Sequence, residues 1–323
     1  MANASFDNMY SPSISEPTLL PDALADPYEL IPFAKVKLIV MDLDGTLLGH
    51  AHDSPTTDSW QRRVSLVARL NHYRVPLTIA TGRAYAGARS VFDLISPRNN
   101  TPFILYNGGA VVSGSGVLLS QRQISDSALA AVHRTVLHYG GSAMTYWLRA
   151  SPFSGQFDGE WVVFVGSGCV PAEEFNGLPI SDASAVPSGS GCVAVLLWAD
   201  DSDTKAKLEN AVRSIDGVSI TSSGSRFIEV RPADSSKAVG LTTLLDNLQI
   251  PPSQVMAIGD NDNDVELLAA VGISVCVANA SLKAQGASRY KTKYSSSSGA
   301  IEALDLVTRA KRLWTGRQSK HGS

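Results

Sequence analysis

The stretch Val36-Lys37-Leu38-Ile39-Val40-Met41-Asp42-Leu43-Asp44-Gly45-Thr46 decides how the chain folds. Its first six residues form a short, mostly apolar run of the kind that is buried on both faces of a parallel sheet. The residues after Met41 carry the chemistry. In extended backbone the side chains at i and i+2 point the same way. Asp42 and Asp44 are therefore expected to face one site beyond the carboxyl end of the strand, where open α/β sheets bind ligands. Gly45 allows the backbone to turn sharply there. Two carboxylates so close repel, and a cation, a shared proton or both must compensate. Hard oxygen ligands beside a phosphate suit Mg²⁺. Taken alone, D-x-D-G-T also reads as a surface turn with Asp-Gly chemistry.

Outward from this segment the pattern repeats. Leu77–Ala80, Phe103–Tyr106, Val255–Ile258 and Ile273–Val277 are further short apolar runs suited to buried strands. Trp60, Val64, Val67 and Leu70 recur at helical spacing after the entry signals Pro55 and Asp58, and Val265–Ala270 is a second helix pattern. The alternation predicts an α/β fold, a Rossmann-like doubly wound parallel sheet with helices on both faces. The middle of the chain reads differently. Ser113-Gly114-Ser115-Gly116 between two apolar runs is a hairpin signal. Helix patterns at Asp126–Tyr139 and Ser202–Ile215 alternate with strand candidates at Ala143–Leu148, Trp161–Val165, Cys192–Trp198 and Val218–Thr221. An α+β module is therefore expected at 111–226, inserted between core segments 35–110 and 227–315. No internal repeat at a fixed period is visible.

Three more strand ends bear on the site. Gly259-Asp260-Asn261-Asp262-Asn263-Asp264 follows a buried strand, which puts Asp260 at the carboxyl edge of the sheet and able to complete a cation site. Neither acidic segment is an EF-hand loop. Counted from Asp260, the sixth position is Val265 and the twelfth Val271; counted from Asp42, the sixth is Leu47. Thr81-Gly82-Arg83 ends the second strand, where a hydroxyl and the amides of a helix start can hold phosphate oxygens. Lys237 opens a helix pattern after Phe227–Val230, where a lysine balances carboxylates and phosphate alike. By itself Lys237 reads as a solvated helix residue; with the other strand ends it reads as part of the site.

In order, these segments resemble the four motifs of the haloacid dehalogenase-like (HAD) phosphohydrolases: D-x-D-G-T at Asp42–Thr46, A-T-G-R at Ala80–Arg83, the lysine at Lys237, and G-D-x-x-N-D at Gly259–Asp264. The second motif, with Asn107-Gly108 after the third strand, resembles the Cof-type branch, subclass IIB. The resemblance runs from about residue 36 to 305. It implies the HAD fold, with the insert as a C2-type cap that closes over the site and chooses the leaving group. It implies that Asp42 is the nucleophile and Asp44 the general acid/base. Mg²⁺ would be held by Asp42, Asp260 and the backbone carbonyl of Asp44. Leu43, Thr81, Gly82, Lys237 and Asn263 match substrate-binding positions, and Asp264 a supporting one. The family's lysine is often followed by Gly, and here Ala238 stands in that place. The implied activity is hydrolysis of small phosphate monoesters, sugar phosphates first and nucleotide or cofactor phosphates second, through an aspartyl-phosphate. A phosphomutase of the same superfamily, or a silent binding protein on this fold, are the alternatives. The A-T-G-R form weighs against the first, and the complete acidic set with its lysine against the second.

Bulk properties fit this reading. The 323 residues suggest about two domains. A net charge of −3 makes no electrostatic case for nucleic acid or an anionic membrane. No apolar run approaches the ~18 residues of a membrane span, and no G-x-S-x-G marks a serine hydrolase. Cys169, Cys192 and Cys276 are far apart and read as reduced core residues of a cytoplasmic protein. Residues 1–34, rich in Ser, Pro and acidic residues, are expected to be a flexible tail, and 316–323 a frayed end. The expected partner is a small phosphate ester, met by a monomer or homodimer.

Overall fold

A computed structural model describes residues 16–22, 24–49, 57–95, 100–168, 178, 180–223 and 227–318. The first half contains β1 (Thr18–Leu19), α1 (Ile31–Ala34), β2 (Leu38–Met41), α2 (Thr57–His72), β3 (Leu77–Ile79), α3 (Tyr85–Ile95), β4 (Phe103–Leu105), β5 (Ala110–Val112), β6 (Leu118–Gln121), α4 (Asp126–Tyr139), β7 (Ser142–Ala150) and β8 (Phe157–Gly166). The second contains β9 (Ile180–Ser181), β10 (Gly191–Trp198), α5 (Ser202–Arg213), β11 (Val218–Ser223), β12 (Phe227–Pro232), α6 (Lys237–Leu248), β13 (Val255–Gly259), α7 (Val265–Ala269), β14 (Ile273–Cys276), α8 (Leu282–Ala287), β15 (Tyr290–Lys291) and α9 (Ser296–Gln318).

The apolar run at Leu38–Met41 became β2, near the middle of a six-stranded sheet of order β1-β15-β14-β13-β2-β3. Every pairing in it is parallel. All four β2 residues are buried, as they must be where helices cover both faces. This is the α/β core the alternation predicts. Phe103–Leu105 departs from expectation. It joins the parallel sheet through a bridge between Ala80 and Ile104, and pairs in a three-stranded antiparallel sheet with β5 and β6. The reason lies just beyond it. Tyr106 (φ 50°), Asn107 (φ 52°) and Gly108 (φ +94°) reverse the chain within three residues, a conformation Asn and Gly tolerate best.

A separate six-stranded sheet of order β11-β12-β10-β7-β8-β9 forms the cap. Its pairings are antiparallel except β8 with β9. Helices α4 and α5 pack on one face, burying Leu129, Val132, Val136, Leu208 and Val212 with Leu197 and Ile228. Strand β12 lies beyond the expected limit of the insert at 226, yet it pairs with both β10 and β11 and so belongs to this sheet. Its alternating pattern predicts a strand, but nothing local says which sheet will accept it.

The expected flexible tail is also partly corrected. Residues 1–15 lie outside the described residues. Beyond them, Thr18–Leu19 extends the parallel sheet along β15, Leu20 and Leu30 are buried, and Arg309 donates to the carbonyls of Pro21 and Asp22. An edge strand offers unpaired backbone groups, and this segment satisfies them. At the other end α9 runs to Gln318, and 319–323 lie outside the described residues, as does Cys169. Cys192 and Cys276 are buried free thiols, and burial pushes the Cys192 thiol up to about 12. Among the described residues no helix is long and apolar enough to cross a membrane.

Candidate active site

Because β3, β2 and β13 are parallel neighbours, the residues just past each strand meet on one edge of the sheet. Thr81, Asp42 and Asp260 come from these three ends. Lys237 arrives from the start of α6, where the Ser236 hydroxyl caps the helix by accepting from the amide of Val239. Ala238 after the lysine leaves this placement intact. The Lys237 ammonium is fully buried; its Nζ donates to Asp42 Oδ1 at 2.5 Å and to Asp264 Oδ1 at 2.7 Å. The other Asp264 oxygen accepts from the amides of Asp260 (3.0 Å) and Asn261 (3.1 Å), which fixes the acidic loop after β13. Thr46 Oγ1 donates to Asp260 Oδ1 at 2.7 Å. Gly45 makes that approach possible: at φ +83°, a Cβ here would stand 2.4 Å from Asp260 Oδ2.

Carboxylate oxygens of Asp42, Asp260 and Asp264 lie within 4.8 Å of one another. Three carboxylates face one ammonium, so the cluster carries excess negative charge. Burial holds the Asp42 carboxyl well above the usual carboxylate range; Lys237 offsets part of this, while Asp264 and Asp260 add to it. For Lys237, burial alone favours the neutral amine, but Asp264 and Asp42 outweigh burial and keep it an ammonium. A cluster of hard oxygen donors with excess negative charge fits a divalent cation such as Mg²⁺.

Asp44 behaves differently. It and Asp42 line the same cavity, but the chain leaves the extended conformation after Asp42, and the amides of Leu47 and Leu48 fold back onto the carbonyls of Asp42 and Leu43. The Asp44 carboxylate swings to the cavity mouth, 56% exposed, and takes a two-pronged contact from Arg83, with Nη2 at 2.5 Å and Nε at 2.8 Å. It lies outside the three-carboxylate cluster, so the expectation that both carboxylates point at one cation is corrected. Leu43 contributes no side chain to the cavity. Its side chain is fully buried in the core, so a substrate contact there falls to its backbone.

The cavity, of about 420 Å³, has two walls. Asp42, Asp44, Thr81, Gly82, Asn107 and Asn263 form the core side; Tyr146, Ala194, Leu196, Glu229 and Arg231 form the cap side. Asn107 joins them. Its amide donates to the Thr81 carbonyl, its Oδ1 accepts from Asn263 Nδ2 at 3.1 Å, and its Nδ2 donates to Glu229 Oε2 at 2.7 Å. A second bridge runs through Glu160 on β8. Its carboxylate accepts from the amides of Tyr85 (2.5 Å) and Ala86 (3.0 Å) and from the Tyr106 hydroxyl (2.6 Å). The first amides of α3, expected to hold phosphate, are thus occupied by a cap carboxylate. Burial raises Glu160, and burial followed by Glu160 raises Tyr106. Of the residues beyond the motifs, only Asn107 had a local signal, the Asn-Gly turn. Glu160, Glu229 and Arg231 reach the site through sheet pairing, which leaves no short motif.

A parallel sheet with acidic groups gathered at its strand ends, covered by a second sheet, defines a capped α/β hydrolase. The chain belongs to the haloacid dehalogenase-like hydrolases, whose family profile matches residues 39–304. It is 25% identical over 289 residues to the 5-amino-6-(5-phospho-D-ribitylamino)uracil phosphatase of Bacillus subtilis, an alignment that covers 84% of this chain and 98% of the relative. Its fold is similar to that of a haloacid dehalogenase-like hydrolase from Bacteroides thetaiotaomicron (TM-score 0.69, 21% identity, 84% of this chain and 99% of the other). It is also similar to a subclass IIB sugar phosphatase (TM-score 0.61, 17% identity, 87% and 99%).

Proposed function

We propose that the chain is a Mg²⁺-dependent phosphatase that hydrolyses small phosphate monoesters, sugar phosphates first, through an aspartyl-phosphate on Asp42. The observation that carries this reading is the buried contact of Lys237 and Asp264 behind Asp42, which lines a cavity together with Thr81, Asn107 and Asn263. Asp42 attacks phosphorus in line, and the ester oxygen leaves. Asp44, at the cavity mouth, gives its proton to that oxygen and later takes one from the attacking water. Lys237 neutralises charge on the transferring group, and the Thr81 hydroxyl and Asn263 amide orient it. A divalent cation held by Asp42, Asp260 and the Asp44 carbonyl would supply Lewis-acid stabilisation of the same charge. Asp264 supports the lysine and the acidic loop.

The sheet from β7 to β12, with its two helices, acts as the lid that excludes water and selects the leaving group. Small soluble esters, rather than nucleic acid or membrane, suit the net charge of −3, and buried free thiols suit the cytoplasm. The test is a panel of phosphate esters assayed with Mg²⁺ and with chelator, using the wild type and Asp42→Asn. We expect Mg²⁺-dependent release of phosphate by the wild type and loss of turnover by at least ~10³-fold in the variant. An Asp42→Asn protein with near-normal turnover would sink the nucleophile assignment.

A further inference from the structure

On the cap wall of the cavity, neighbouring strands place side chains in rows. Register pairs Ala194 with Tyr146 across β10 and β7. The Val195–Val230 pair then sets Ala194 beside Arg231 on β12, one step along that ladder. All three residues line the cavity. The smallest side chain therefore sits between an aromatic ring and a guanidinium, and the row forms a notch with a cation at one end.

The cation in that notch is poorly matched. The Arg231 side chain is only 13% exposed, and its Nε is buried without a hydrogen-bond partner. The carboxylate of the largely exposed Glu266 of α7 lies 3.8 Å from Nη2, beyond hydrogen-bond reach. Arg83, the other cation among the described lining residues, is committed to Asp44 by two hydrogen bonds. Two residues before Arg231 on the same face, Glu229 is held by Asn107, which anchors β12 over the phosphate-handling edge. A buried guanidinium with an unmet donor is costly. Its planar fork matches a carboxylate or phosphate in two-pronged contact.

We propose that Arg231 is a specificity-determining residue that binds a second anionic group carried by the leaving group of the substrate, a carboxylate or a further phosphate. The assignment rests on the phosphatase reading. With the transferred phosphoryl group on the core wall beside Asp42 and Thr81, the leaving group projects towards the cap, and its remote end meets the Tyr146–Ala194–Arg231 row. A neutral leaving group occupies the same cavity without satisfying the guanidinium.

The experiment compares kcat/KM of the full chain, in Mg²⁺, on matched esters: glucose phosphate against gluconate phosphate, fructose monophosphate against the bisphosphate, and p-nitrophenyl phosphate as the reference. The wild type is expected to favour the acid-bearing members by about tenfold or more, and Arg231→Gln to lower their kcat/KM by about 10–100-fold. Hydrolysis of p-nitrophenyl phosphate should stay within about twofold. Arg231→Lys should recover part of the preference, because a point charge replaces the fork. Thermal melting of each variant shows that it is folded, and whichever pair responds identifies carboxylate or phosphate as the anion. Three results overturn the proposal: a wild type indifferent to leaving-group charge, an Arg231→Gln protein that loses all substrates equally, or a Glu266→Gln protein with the same selective loss, which would make the arginine only a strut between cap and core. A wild type that hydrolyses nothing, p-nitrophenyl phosphate included, defeats the phosphatase reading itself and is distinguishable from these.

Discussion

The two walls of the cavity are built on opposite plans. Behind the core wall charged groups hold one another: Lys237 has two carboxylate partners, Asp264 ties the lysine to two backbone amides, and Thr46 fixes Asp260. On the cap side the groups reach across to the core, as Glu160 beside the cavity and Glu229 in its wall do, or are left partly unmet, as the Arg231 Nε is. The difference teaches that a rigid charge cluster suits chemistry common to many substrates, whereas a wall with unmet capacity can discriminate among them.

The sharpest way to break the contrast is to cut the centre of the core wall. Lys237→Met leaves Asp42 and Asp264 buried without their cation. It is expected to cost about 3–5 kcal/mol in denaturant unfolding and to remove most turnover; a variant of wild-type stability would mean that the cluster is less interdependent than its distances imply. Next comes Gly45→Ala, which forces a side chain against Asp260 and requires a left-handed backbone. It should weaken Mg²⁺ affinity by about 10–100-fold in a calorimetric titration, and unchanged affinity would remove Asp260 from the cation site.

The cap wall should respond more mildly. Glu160→Gln replaces a carboxylate oxygen with an amide that cannot accept from Tyr85 or Ala86 at both positions. A loss of about 1–3 kcal/mol from the seam between cap and core is expected, seen as a higher KM and faster limited proteolysis with kcat largely kept; a fall in kcat alone would contradict the bridging role. The smallest effect concerns His133 on α4, in the cap. Burial lowers its pKa from 6.5, so the unfolded chain binds more protons than the native one below that value. Stability should therefore fall as pH drops through 6.5 towards the lower native value. His133→Gln should flatten that portion of the profile, and an identical profile would exclude the residue from it.

The pattern of success along the chain follows the range of the interactions involved. The apolar runs at Leu38–Met41, Leu77–Ile79 and Val255–Ile258 declared parallel strands because burial on both faces leaves a local compositional mark. Helix α4 was legible residue for residue at Asp126–Tyr139, framed by Ser125 as its cap and Gly140 at its end. Strand β12 was legible as a strand but not as a member of the cap sheet. The Thr18–Leu19 strand was hidden in a polar, proline-rich stretch, because its ordering comes from β15, more than 270 residues away.

By itself the sequence determined the α/β core, the inserted module and the acidic and basic residues at successive strand ends. Each of these is written in a few adjacent residues whose spacing obeys strand or helix geometry. Tertiary structure alone decided that Lys237 bridges Asp42 and Asp264, that Asp44 turns to Arg83 and that Glu160 occupies the start of α3. It also decided that Tyr146, Ala194 and Arg231 share a row. The physical reason is that side-chain partnership across a cavity depends on sheet register and on the seating of one sheet over another, and neither is encoded by any local run of residues.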